Sequence, residues 1–88
     1  MSHPSALEQS GPDAPLYQFR KNATEVVQAR LSVFHGHQLA DVRVYFETDD
    51  GTLRPTKKGL AIGLDLLPEL RAAVEALERA VAARGLAA

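Results

Sequence analysis

Apolar and polar residues alternate along the middle of the chain with the two-residue period of a half-buried β-strand. The first such segment begins near residue 27 and has an apolar side formed by Val27, Ala29, Leu31 and Val33. After a turn at residues 35–38, a second segment has an apolar side formed by Ala40, Val42, Val44 and Phe46. The pattern therefore predicts two strands joined as an antiparallel hairpin.

Further strands are predicted on both sides of this hairpin. Residues 16–20 permit a short edge strand. Residues 48–51 predict another turn, with Gly51 at the position where a positive φ angle is needed. Beyond that turn, Leu53, Leu60 and Ile62 predict a third long strand or a pair of strands.

The period changes to that of a helix near residue 65. Asp65 is the predicted N-terminal cap, because its carboxylate is able to accept hydrogen bonds from free backbone amides, and Pro68 is tolerated within the first turn. Arg84 and Gly85 are predicted to end the helix. Its apolar stripe is formed by Leu67, Leu70, Val74, Leu77 and Val81. We expect this stripe to serve both as core and as a dimer interface.

Length and composition predict one small domain. The chain has 88 residues, and a domain of this size is marginally stable as a monomer. It has no cysteine, so disulfides are excluded, and association between subunits is expected to supply the additional stability. Residues 1–15 are rich in proline and lack periodicity, which predicts a mobile tail ahead of a single domain over residues 16–88.

No apolar run is long enough to span a bilayer, and the N-terminus lacks the order of a signal peptide. We therefore expect an intracellular, soluble protein with no membrane partner, located in the cytoplasm or nucleoid, or in the nucleus of a eukaryote.

The charge distribution singles out one stretch of the chain, residues 51–60. A net charge of −1 argues against an unspecific polycation, so affinity for phosphate must come from local placement. Residues 51–60 place Arg54, Lys57 and Lys58 between two glycines, next to Pro55. Because proline fixes one φ angle and glycine permits unusual ones, this segment predicts cations with set directions, aimed at nucleic acid.

From residue 34 to residue 70 the chain resembles the C-terminal domain of the transcriptional positive cofactor four family, including its bacterial relatives. The resemblance rests on Phe34 and Gly36, on residues 39–46, on the run from Gly51 to Gly59, and on the helix opening at residues 68–70. It implies an α+β fold in which a curved four-stranded antiparallel sheet precedes one C-terminal helix. It also implies a homodimer that binds single-stranded DNA as a transcriptional coactivator.

The resemblance implies a set of binding residues, to which the charge pattern adds Arg30. Histidine stands where the family has lysine at two positions, and phenylalanine replaces tryptophan at one, so we expect weaker binding than is usual in the family. The expected nucleic-acid-binding residues are Arg30, Phe34, His35, His37, Arg43, Phe46, Arg54, Lys57 and Lys58.

Other interpretations of these residues remain open. Phe46 alternates in step with the apolar residues Val42 and Val44, which favours packing in the core. Arg30 or Arg43 could pair with an acidic residue across the sheet. His35 and His37 lack an evident third metal ligand, so no metal, cofactor or catalytic site is predicted. The alternative functions are a dimeric protein-interaction module, with RNA polymerase or another transcription protein as partner, and an RNA-binding protein.

Overall fold

The computed structural model describes residues 14–86, so most of the predicted N-terminal tail lies outside the described residues. The chain folds into a four-stranded antiparallel sheet with the strand order β1-β2-β3-β4. A 3₁₀ turn at Leu64–Leu66 and one helix follow the sheet. The elements are β1 (Tyr17–Arg20), β2 (Glu25–Phe34), β3 (His37–Glu47), β4 (Leu53–Gly63) and α1 (Leu67–Ala83). The predicted α+β fold is confirmed.

The hairpin of β2 and β3 is the centre of the sheet. Its register runs without interruption from the pair Glu25–Phe46 to the pair Phe34–His37. Only two residues form the turn, and both have positive φ angles, 52° at His35 and 78° at Gly36. This geometry suits the right-handed twist of the two strands. The turn is shorter than predicted, because residues 37 and 38 already belong to β3.

The second predicted turn also has the expected backbone. Gly51 has a φ angle of 86°, and its N–H donates to the carbonyl oxygen of Thr48 over 2.9 Å. The carboxylate of Asp50 accepts hydrogen bonds from the hydroxyl of Thr48 and from the N–H of Thr52. These contacts lower the pKa of Asp50, with the Thr48 hydroxyl as the largest cause.

β4 is one continuous strand with an irregular register. Tyr45 pairs with Pro55, whereas Arg43 pairs with Gly59. Residues 56–58 of β4 therefore lie opposite the single residue Val44, which makes a β-bulge with two extra residues. Proline is compatible with this strand because β4 is an edge strand and needs ladder hydrogen bonds on one side only.

The sheet has two chemically different faces. Gln28 lies beside Arg43 on what we call the polar face, and Ala29 lies beside Val42 on the opposite, apolar face. On the polar face, an ion pair of 3.0 Å between Arg20 of β1 and Glu47 of β3 crosses the start of β2. Only Val26, Gln28 and Ala40 are buried among residues 14–86. Two of these three, Val26 and Gln28, belong to the polar face.

The apolar face is largely open within one chain. Its side chains at the hairpin end, Leu31 and Val33, are 55% and 67% exposed. Aromatic rings lie on the same face of β1, where the centroids of Tyr17 and Phe19 are 6.3 Å apart. The chain alone thus leaves much of the apolar surface in contact with water.

The helix begins two residues later than predicted. Neither the 3₁₀ turn nor α1 has a side-chain cap, so the predicted cap by Asp65 is wrong. The 3₁₀ turn takes up residue 65, and Pro68 occupies the first turn of α1, where its missing N–H has no helical partner to lose. At the other end, Gly85 has a φ angle of 65° and donates to Ala82, and Leu86 donates to Val81, as in a Schellman motif.

The apolar stripe of the helix is mostly exposed. No residue of α1 is buried, and Val74 and Leu77 are 46% and 66% exposed. Leu70 and Val81 are half-buried. No helix among the described residues is long and apolar enough to cross a lipid bilayer.

The bulge of β4 depends on the absence of a side chain at Gly59. Its φ angle is 142°, and a Cβ atom there would lie 2.3 Å from the carbonyl oxygen of Val42. We expect Gly59→Ala to lower the free energy of unfolding by roughly 2–3 kcal/mol, since backbone strain and the steric contact add. Urea denaturation measures this cost.

The matched control is Gly36→Ala. Gly36 also has a positive φ angle but has nothing within 4 Å of an added Cβ. It should therefore cost about 1 kcal/mol. Equal costs in the two variants would show that close packing against β3 does not matter.

Candidate nucleic-acid interface

The basic segment, residues 54–58, has a backbone that is held from two sides. The hydroxyl of Thr56 donates to the carbonyl oxygen of Val44 over 2.7 Å and accepts from the N–H of Lys58 over 3.1 Å. The carbonyl oxygen of Thr56 accepts from Nη1 of Arg43 over 3.0 Å. The residue between Pro55 and the two lysines is thus anchored to β3. Sequence reasoning missed Thr56, which carries no charge or aromatic ring to mark it.

Arg43 is engaged by protein groups. Its Nη2 lies 3.1 Å from Oδ1 of Asp41, and its Nε donates to the same carboxylate. The guanidinium therefore links an acidic residue of β3 to the carbonyl of Thr56. Its side chain is 23% exposed. Arg43 does pair with an acidic residue, as the sequence allowed, but the pair lies along β3 and not across the sheet, because Asp41 is two positions away on the same strand.

Two of the three cations of the basic segment are exposed. The side chains of Arg54 and Lys57 make no hydrogen bond or ion pair with any group of residues 14–86. The third, Lys58, has its Nζ 3.4 Å from Oε2 of Glu25, although its side chain is 69% exposed. The segment therefore offers two unpaired charges and one that is partly neutralised.

Glu25 is the acidic centre of this region, and sequence reasoning did not single it out. Its carboxylate accepts from Asn22 over 2.7 Å and from Lys21 over 3.0 Å, in addition to the contact with Lys58. These contacts lower the pKa of Glu25 to about 2. The hydrogen bond from Asn22 is the largest cause, and the hydrogen bond from Lys21 is the second. No periodic pattern in the sequence marks this contact, because a four-residue spacing such as that of Lys21 and Glu25 brings side chains together on a helix, whereas Glu25 begins a strand.

Phe46 lies beside the basic segment. It pairs with Glu25 on one side and with Arg54 on the other, so the three side chains form one row on the apolar face. The ring is 45% exposed, so it is only partly covered within one chain and is not part of a closed core. Arg43 lies on the other face, because it is three positions from Phe46 on a strand that alternates regularly. The bulge is in β4 and leaves the alternation of β3 unchanged.

Phe34 lies at the far end of the hairpin. Its ring is 62% exposed and meets the imidazole of His35 edge-on, with centroids 4.1 Å apart. His37 is its partner across the turn and is exposed as well. The distance along β3 from His37 at this end to Phe46 is nine residue steps, which corresponds to roughly 30 Å. The two phenylalanines thus belong to different ends and different faces of one chain.

Arg30 belongs to a network on the polar face. Its Nη2 donates to Oε1 of Gln28, and its guanidinium carbon lies 5.5 Å from the centroid of the Tyr45 ring. The side-chain amide of Gln28 in turn donates to Gln18 over 2.9 Å. This network explains how the polar Gln28 can be 1% exposed.

The predicted site residues therefore fall into three groups. Arg54, Lys57 and Lys58 belong to the basic segment, and Phe46 lies beside it. Arg30 and Arg43 are held in polar-face contacts, and the hairpin end carries Phe34, His35 and His37. No cluster of three or more acidic or histidine residues that could hold a metal ion occurs in the part of the chain that the structure describes.

The chain belongs to the family of the transcriptional coactivator p15 (PC4), whose family model matches residues 21–73. The match begins just before β2 and ends in α1, and it includes the whole bulge. The fold is similar to the crystal structure of a PC4 homolog from Burkholderia pseudomallei, with a TM-score of 0.70 and 25% sequence identity. That similarity covers 80% of this chain and 97% of that chain. No curated protein sequence gives a significant match.

These comparisons define the class of the protein. It is a bacterial-type relative of PC4 with the nucleic-acid-binding fold of that family. The resemblance based on residues 34–70 is thereby confirmed.

The contacts of Glu25 predict an acid-sensitive contribution to stability. Because its pKa is lower in the folded chain than the ordinary value of 4.5, the contribution is fully present above pH 4.5 and is lost as the pH falls towards 2. The difference in free energy of unfolding between the wild type and Glu25→Gln should therefore shrink between pH 5 and pH 2. Urea denaturation at several pH values measures it.

Glu69→Gln in the first turn of α1 is the control. Its stability relative to the wild type should change less across the same pH range, because no ion pair of Glu69 occurs among residues 14–86. A difference for Glu25→Gln that stays constant down to pH 2 would contradict the assignment.

Proposed function

We propose that the protein is a homodimeric single-stranded-DNA-binding protein of the transcriptional coactivator type, with little sequence preference. The observation that carries this proposal is the pair of unpaired cations, Arg54 and Lys57, on an anchored backbone beside the exposed ring of Phe46. A single strand offers phosphates to such cations and unstacked bases to such a ring.

Binding at this site combines two interactions. Arg54 and Lys57 contact phosphates, and Lys58 joins them when a phosphate replaces the carboxylate of Glu25. A base then stacks on Phe46, which requires that the strand be unpaired. Neither interaction reads the edges of bases, so sequences of equal length bind with similar affinity.

Phe34 supplies a second, weaker stacking position. It is exposed, but its neighbours His35 and His37 replace the lysines that the family has there. Since it lies about 30 Å from Phe46 along the strands, one short oligonucleotide does not reach both rings of the same subunit.

Dimerisation is supported by the open apolar surfaces. The helical stripe and the apolar face of the sheet both remain in contact with water in a single chain. A two-fold partner that covers them supplies the burial that a domain of this size lacks. The same surfaces fit the second candidate, a dimeric module that binds another transcription protein, and the binding assay separates the two.

The direct test is titration of labelled single-stranded DNA, duplex DNA and RNA of equal length. We expect the tightest binding to single-stranded DNA, with a slope of log K against log salt of about −2 if three phosphates are contacted per subunit. Absence of binding to all three would refute the proposal and favour the protein-interaction module. Preference for RNA would reassign the ligand.

Variants locate the site in the same assay. Lys57→Ala should weaken binding of all sequences alike and reduce the magnitude of the salt slope by about 0.7. Phe46→Ala should cost roughly 1–3 kcal/mol of binding free energy through loss of a stack. Arg71→Ala is the control, since it removes one exposed cation from α1, outside the basic segment. Equal effects of Lys57→Ala and Arg71→Ala would mean that binding is unspecific.

The dimer is tested at the helical stripe. Leu77→Glu places a charge on an apolar surface that is 66% exposed in one chain. We expect it to shift the dimer towards monomer in analytical ultracentrifugation, whereas Glu78→Lys, next to it but off the stripe, should leave the dimer intact. A wild type that sediments as a monomer at micromolar concentration would overturn this part of the proposal.

A further inference from the structure

We infer that Arg43 is a positioning residue: together with Asp41 and Thr56, it forms a clamp that fixes the direction of Lys57 and Lys58. This inference rests on the proposed function and assigns Arg43 a role other than the phosphate contact that the resemblance implied. The clamp is defined as the contacts from Asp41 through Arg43 to the carbonyl oxygen of Thr56. It also includes the contacts of the Thr56 hydroxyl with Val44 and with the N–H of Lys58.

The bulge creates the need for such a clamp. Three residues of β4 lie opposite one residue of β3, so their backbone groups cannot all pair in the ladder. The carbonyl oxygen of Thr56 is satisfied by Arg43, and the N–H of Lys58 is satisfied by the hydroxyl of Thr56. Side chains thus replace the missing ladder contacts on both sides of Lys57.

The contacts of Arg43 leave it poorly suited to bind phosphate. Its charge is paired with Asp41 at 3.1 Å, and its Nη1 is directed at a backbone carbonyl. A phosphate would compete with Asp41 and with the carbonyl oxygen of Thr56 for the guanidinium, and this competition would loosen the backbone that carries Lys57. Arg54, in contrast, makes no contact that a phosphate must displace within residues 14–86.

The two possible roles of Arg43 predict opposite effects when Asp41 is removed. If Arg43 were a phosphate ligand, Asp41 would be its competitor, and Asp41→Ala would tighten binding by freeing the guanidinium and removing a negative charge. In the clamp, Asp41 anchors Arg43, so Asp41→Ala loosens the basic segment. We expect affinity for single-stranded DNA to fall about three- to tenfold, which corresponds to the loss of one net intramolecular hydrogen bond.

Glu47→Ala is the matched control for this charge change. Glu47 lies on the same strand and the same face as Asp41 and is also ion-paired, with Arg20 at 3.0 Å. Its removal changes the net charge equally but leaves the clamp intact, so affinity should stay constant or rise. An affinity for Asp41→Ala equal to or higher than that of the wild type would overturn the clamp.

Thr56 tests the clamp without any change in charge. Thr56→Val keeps the shape but removes the hydroxyl that links Val44 to the N–H of Lys58, and it should weaken binding. Thr56→Ser restores the hydroxyl and should restore affinity. Urea denaturation shows whether each variant is folded at the assay temperature. If Thr56→Val does not fold, the comparison of Asp41→Ala with Glu47→Ala decides.

Hydrogen exchange separates the clamp from the proposed function. The N–H of Lys58 should exchange faster in Thr56→Val than in the wild type, and Thr56→Ser should restore its protection. This measurement needs no nucleic acid. If the wild type binds no single-stranded DNA but the exchange pattern holds, the proposed function fails and the clamp stands as a structural device. Unchanged exchange of Lys58 in Thr56→Val refutes the clamp.

Discussion

The two extra residues of β4 are the constraint on which the candidate interface depends. Pairing of Tyr45 with Pro55 and of Arg43 with Gly59 leaves residues 56–58 to be accommodated opposite one residue. The excess fits only because residue 59 has no side chain to meet β3, and because side-chain groups take over the hydrogen bonds that the ladder cannot supply. Cations on such a backbone have fewer directions available than cations on a flexible turn, so less entropy is lost when they meet a phosphate.

Paired and unpaired cations lie in different parts of the sheet. Cations of the polar face are held by protein groups: Arg20 by Glu47, Arg43 by Asp41, and Arg30 by Gln28 and the ring of Tyr45. The net charge of −1 therefore does not describe the surface near β4, where unpaired positive charge is concentrated at one edge. A protein can carry an anion-binding site without being basic overall, because a ligand meets the local arrangement of charges and not their sum.

Much of the fold follows from local patterns, whereas the site depends on contacts between distant residues. The alternation predicts β2 and β3, the helical spacing predicts α1, and glycine predicts the positive φ angle at residue 51. The alternation weakens between residues 53 and 60, so one bulged strand could not be distinguished from two strands.

The contact of Lys58 with Glu25 joins residues 33 positions apart, and no sequence period indicates it. The alternation predicts which face of the sheet carries Phe46, but the burial of its ring depends on what covers that face, and the alternation gives no information about the cover. The placement of the clamp and the failure of Asp65 to cap the helix are likewise products of tertiary geometry.

The position of the basic segment on an edge strand has a consequence for solubility. An open strand edge is a template for pairing with another chain, and proteins protect such edges with bulges, proline and lysine. β4 has all three devices within five consecutive residues, 55–59. The features that would attract a phosphate are thus the ones that discourage one sheet from extending into the next. When a bound polyanion neutralises those lysines, part of this protection against aggregation is removed, and the bulge and Pro55 remain to provide it.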